Sequence, residues 1–166
     1  MILGLSLSTF TTVHVILSLI GIASGIVVLV GMLDSKPMPG LTAVFLVTTI
    51  LTSVTGFLFP ADALLPSHVF GIISLVVLAL AVLGLYVFRL GGAWRPVYVV
   101  TAAIALYLNC FVGVVQAFQK LPFLNPLAPT QSEPPFFVAQ IVVLVIFVLL
   151  GFRAVRAFHP DVTLSS

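Results

Sequence analysis

The sequence predicts an all-α integral membrane bundle of about five transmembrane helices, on three observations. Of 166 residues, 61% are hydrophobic and only 6% charged, against about 25% charged in a water-soluble domain. Mean hydropathy reaches +1.36. Windows of roughly 20 apolar residues, the length that crosses a hydrocarbon layer about 30 Å thick, recur along the chain. Six basic and four acidic side chains cannot cover the surface of so apolar a core in water, so lipid must solvate most of it.

The segments fall at about 9–33, 41–59, 67–90, 93–118 and 135–157, in a single transmembrane domain over 1–166. No Lys or Arg precedes the first, and its length outruns the apolar core of a signal peptide, so it reads as a retained helix. Asp34-Ser35-Lys36-Pro37 ends it, and residues 60–66, bounded by prolines, end the second. Ser67, after Pro66, offers an N-cap for the third. Arg89 to Arg95, with Gly91 and Gly92 between, separates the third from the fourth. Prolines 122, 126, 129 and 134 stiffen a loop, 119–134, long enough to fold over the mouth of the bundle. Within it Thr130-Gln131-Ser132-Glu133 has the spacing of a capping box before the fifth segment, and Glu133 is placed to pair with Lys120.

With five crossings, Lys36, Arg89, Arg95, Arg153 and Arg156 share one side and Lys120 has the other. Lys and Arg are retained in the cytoplasm, which predicts an outer N-terminus and a cytoplasmic C-terminus, with Trp94 anchored at the inner interface. The basic residues are thereby explained by topology, and no nucleic-acid signature remains. Cys110, the one cysteine, excludes an intrachain disulfide and reads as a packing residue.

This topology puts His14 and His68 in one leaflet, since the first and third segments both start outside. Asn109, Gly113, Gln116 and Lys120 form one stripe on the fourth, with Asn109 expected in its outer third. Gln140 lies about 7 Å below the outer surface on the fifth. The inner halves read as almost purely aliphatic. Intramembrane polar side chains are costly and face bundle interiors, so these residues mark a candidate pocket. Thr48, Thr52, Ser53 and Thr55 instead suit bonds to their own i−4 carbonyls, and Gly21 and Gly25 suit close helix contact.

Four readings of the histidine pair stand side by side. Haem b would take His14 and His68 as opposed axial ligands, with Gly21, Gly25 and Gly71 making room. A metal would draw on the same two histidines with Asp62 and Glu133, although no close-spaced ligand motif is present. A quinone would set its carbonyls among His14, His68, Asn109, Gln116 and Gln140 with its tail in lipid. In the fourth, these groups only tie helices together, as in an accessory or scaffold protein working in a membrane complex or homo-oligomer. None of the four requires the chain to be an enzyme on its own. A transporter is disfavoured, because no internal repeat and no midplane charge is evident. His159, beyond the last helix, reads as tail with no claim on the site.

The stretches LTSVTGFLFP (51–60), LLPSHVFGIISLVVLA (64–79), ALYLNCFVGVVQAF (105–118) and LAPTQSEPPF (127–136) resemble those of a group of small, uncharacterised bacterial inner-membrane proteins. The resemblance implies a multi-pass protein of the bacterial cytoplasmic membrane and carries no catalytic residue across. A fold-level likeness to small b-type cytochrome bundles rests on the paired histidines alone.

Overall fold

The computed structural model describes residues 1–161. Its helices are α1 (Leu7–Leu33), α2 (Pro39–Gly56), α3 (Pro66–Val82), continued by a π-helical turn (Leu83–Val87), α4 (Trp94–Lys120) and α5 (Pro134–Ala157), with a 3₁₀ turn at Asn125–Leu127. The five spans are long and apolar enough to cross a membrane. The chain is a multi-pass helical bundle.

Most helix ends follow local chemistry. α1 starts two residues before the expected position because the Ser6 hydroxyl accepts the Thr9 amide at 3.1 Å and caps the first turn. α3 starts at Pro66, not beyond it, so Ser67 lies inside the first turn and does not cap. His68 does that work: its Nδ1 accepts the Leu65 amide at 3.0 Å, as a capping-box side chain reaches back to the N-cap amide. The Thr130–Glu133 spacing also closes a turn, but one that precedes α5. Glu133 is itself the N-cap residue, and its carboxylate accepts from the Thr130 amide and hydroxyl.

The α4 helix touches the other four, whereas α1 and α3 make no substantial contact. Without a hydrophobic drive between helices in lipid, close approach of small residues must supply the packing. Gly25 provides it at the centre: a Cβ there would stand 2.6 Å from Leu106 and 2.8 Å from the Phe45 ring. Around this contact Phe45, Leu78, Val99, Ala102, Ala105 and Leu106 form the buried core. Gly21, one turn away, faces polar atoms instead.

The basic end of the bundle is tied by Arg95. Its Nη1 donates to the Val155 and Phe158 carbonyls, both at 2.8 Å, satisfying groups that the last turn of α5 would leave open. The segment after α5 then crosses to the α1–α2 connection, where the His159 amide donates to the Ser35 hydroxyl at 2.8 Å.

Candidate functional site

A cavity of about 100 Å³ lies between α2, α3 and α4 at the histidine end, and His14, His68 and Asn109 all line it. Thr49, Thr52 and Ser74 contribute hydroxyls, while Phe57 and Ser67, both exposed, stand toward the surface. Three of the five candidate residues therefore line one cavity.

The two imidazoles are held differently. Thr55 sends its hydroxyl proton to the Leu51 carbonyl at 2.7 Å. Its oxygen consequently accepts from His14 Nδ1–H at 2.8 Å, and Nε2 of a neutral His14 keeps a free lone pair. His68 has the opposite tautomer: Nδ1 is the acceptor for the Leu65 amide, so the neutral ring carries its proton on Nε2. One histidine offers an acceptor and the other a donor. Phe59 meets the His14 ring edge-on at a 5.1 Å centroid distance, and Phe57 stacks on His68 at 5.5 Å.

Asn109 sits deeper than its expected place in the outer third. Its Nδ2 lies 3.1 Å from where a Cβ on Gly21 would be, beside the Thr48 and Thr49 hydroxyls. Gly21 is about 21 Å along a helix about 40 Å long, close to mid-depth. Thr48 donates to the Val44 carbonyl, as expected of this helix. Thr49 does not back-bond: its hydroxyl and Asn109 Nδ2 are both buried without a hydrogen-bond partner. Neither Thr49 nor Ser74 stood out in the sequence, because a single Ser or Thr in an apolar helix looks like any back-bonding one.

Gln116 and Gln140 do not join the cavity. The Asn109–Lys120 stripe turns outward along α4, leaving Gln116 and Lys120 exposed. Gln140 is buried, and its Nε2 donates to the Phe111 carbonyl at 3.2 Å, tying α5 to α4 while Oε1 has no partner. Loop 119–134 folds back on α4, with Asn125 Nδ2 donating to the Phe118 carbonyl and Gln131 Nε2 to that of Val115. It packs Ala128 against Phe118 and Phe136 and contributes nothing to the cavity wall. Lys120 and Glu133 do not pair; among the described residues the ion pair is Lys36–Asp34, at 3.4 Å on the surface. Hydrogen bonds from Thr130, above all its hydroxyl, hold the exposed Glu133 carboxyl below the usual range.

The donor set does not fit haem or a metal. A ligating imidazole needs a lone pair on one nitrogen and usually donates from the other, whereas the one lone pair of neutral His68 is engaged by a backbone amide. The glycine recesses are filled as well: Gly25 by Phe45 and Leu106, Gly71 by the Phe57 ring at 2.9 Å, and Gly21 by Thr49 and Asn109. Among the described residues no cluster of three His, Cys, Asp or Glu side chains stands ready for an ion. Asp62 is exposed, and neither it nor Glu133 reaches the cavity.

Comparison with known proteins finds no family model, curated protein or solved structure that matches this chain.

Proposed function

We propose that the cavity receives the carbonyl-bearing ring of a membrane amphiphile of the quinone class, with its tail left in lipid. The observation that carries this reading is Asn109, which lines the cavity together with His14 and His68 and whose buried Nδ2 donor has no hydrogen-bond partner. An uncompensated buried donor costs about 1–3 kcal/mol, a cost that a carbonyl acceptor removes. His68 Nε2–H supplies a second donor for an oxidised ring. His14 Nε2 supplies an acceptor for the hydroxyl of a reduced one. A volume of about 100 Å³ is below the roughly 300–1,000 Å³ of sites that enclose a whole drug-sized ligand, which suits a headgroup only.

The skew of Lys and Arg toward the other end supports an outer location for this cavity, in a bacterial inner membrane as the motif resemblance implies. A ligand-free accessory role is the second reading. It is favoured by the structural bonds that His14 and His68 already make, to Thr55 and to the Leu65 amide.

Equilibrium binding of a labelled short-tail benzoquinone to the detergent-purified protein tests the proposal. Saturable binding that weakens about tenfold in Asn109→Leu, the loss of one hydrogen bond of roughly 1–1.5 kcal/mol, supports it. No saturable binding to the wild-type protein, or equal affinity in Asn109→Leu and His68→Phe, leaves the accessory role standing.

A further inference from the structure

A second, larger cavity opens at the opposite end of the bundle, where the sequence promised only aliphatic packing. Its volume is about 570 Å³, and its wall includes Val28, Met32, Leu85, Leu90, Tyr98 and Phe158. Several local features hold it open. Gly84, inside the π-helical turn, brings that turn close against α4, since a Cβ there would meet the Trp94 carbonyl and Tyr98 Cβ at 3.2 Å. The π-helical turn that contains it widens the chain here, a feature that often marks functional sites. It leaves through Arg89 and Leu90, both in the left-handed conformation (φ 47° and 59°), and Leu90 turns back to line the wall. On the far side Arg95 and Ser35 draw residues 158–161 across the gap, so the stretch read as free tail is a wall of the cavity.

The rim differs from the wall. Lys36 and Arg89 stand there, both exposed, with Asp161 as the one acidic side chain of the lining. Arg89 makes no hydrogen bond or ion pair among the described residues, and Lys36 is engaged only by Asp34, in a surface pair of little worth. The rim lies where α1, the π turn and α5 end and α2 and α4 begin, which is the level of lipid headgroups. We infer that this cavity binds one acyl chain of an anionic membrane lipid, whose headgroup is held by Lys36 and Arg89. The volume falls within the range of formed ligand sites. The apolar wall matches a hydrocarbon chain, and the excess of cations at the rim selects negative over zwitterionic heads.

Trp94, the only tryptophan, lies one turn before the cavity-lining Tyr98 and serves as a nearby fluorescent reporter. In mixed micelles, phosphatidylglycerol with brominated chains should quench its fluorescence at a lower mole fraction than phosphatidylcholine carrying the same chains. Each of Lys36→Gln and Arg89→Gln should cut that preference about fivefold, the equivalent of about 1 kcal/mol per cation near an anionic lipid surface. Both side chains are exposed, so neither change tests folding. Leu85→Phe, which narrows the cavity and leaves the rim intact, should reduce quenching by both lipids. Equal quenching by the two lipids in the wild-type protein overturns the inference, as does an undiminished preference in the doubly neutralised variant. Full quenching in Leu85→Phe also overturns it by placing the lipid on the outer surface. Displacement by glycerol phosphate, which has a head and no chain, refutes the acyl site.

Discussion

Replacing Gly25 by Ala tests the closest helix approach in the bundle. The added methyl would stand 2.6 Å from Leu106 Cδ1 and 2.8 and 2.9 Å from the Phe45 ring. Those neighbours are only 1% exposed and have no room to swing aside. Overpacking of this kind costs about 1–3 kcal/mol, and helix propensity returns about 0.5–1 kcal/mol, leaving a net loss on the order of 1–2 kcal/mol. Gly151→Ala is the control: its methyl meets Ala103 Cβ at an ordinary 3.7 Å, so the propensity gain remains and stability should rise by about 0.5–1 kcal/mol. Reversible unfolding in mixed detergent micelles, followed by far-ultraviolet circular dichroism, measures both. Opposite signs are expected. If Gly25→Ala were as stable as Gly151→Ala, α1 could not lie against Phe45 and Leu106 as described, and the placement of Asn109 beside Gly21 would fall with it.

Arg95→Met removes both bonds to the Val155 and Phe158 carbonyls; charge-assisted bonds are worth about 1.5–3 kcal/mol, and limited trypsin digestion should show faster cutting at Arg153 and Arg156. His68→Ala removes the acceptor for the Leu65 amide, and a capping loss of about 1 kcal/mol should speed amide exchange in the first turn of α3 with little change elsewhere. Glu133 has its folded pKa lowered, chiefly by the Thr130 hydroxyl, so the turn at 130–133 is stabilised above the usual carboxylate range and loses that stabilisation as pH falls through the depressed value; the Thr130 amide resonance should follow this titration, and an unchanged turn at low pH would contradict it. Thr49→Val is isosteric and removes a buried hydroxyl without a partner, so the ligand-free protein should gain up to about 1–3 kcal/mol; a loss measured by the same unfolding assay would mean that the hydroxyl is engaged.

The number of helices was legible because a bilayer imposes length and hydropathy directly on sequence, and every span matches an observed helix within a few residues. Ends were less legible where a side chain could cap in more than one way. Ser67 and His68 both follow Pro66, and only the backbone path shows that the imidazole, not the hydroxyl, takes the Leu65 amide. The candidate site was half legible. Depth can be counted at 1.5 Å per residue, which grouped His14 with His68. Azimuth is harder, because hydropathy alternates little around helices that face lipid on one side and an apolar core on the other. Gln116 was assigned to the interior by its stripe and is exposed, whereas Thr49 and Ser74 face the cavity without any distinguishing pattern. The basic-end cavity was not legible at all. It depends on a π-helical turn, two left-handed residues and a returning C-terminal segment, none of which has a periodic signature.

The two glycines one turn apart on α1 make contacts of opposite character. Gly25 brings α1 against Phe45 and Leu106, an apolar contact that lipid cannot replace because its close fit is the source of the attraction. Gly21 turns the same helix toward the Thr48 and Thr49 hydroxyls and the Asn109 amide, which a Cβ there would meet at 3.0–3.2 Å, yet Thr49 and Asn109 each retain an unpartnered polar atom. For helix association alone, Val at position 49 and Leu at position 109 would serve better at mid-depth, since an unpaired polar atom is most costly where the dielectric is lowest. The polar contact at Gly21 therefore makes physical sense as the floor of the cavity that His14 and His68 complete. The apolar contact at Gly25, one turn deeper, holds that floor in place.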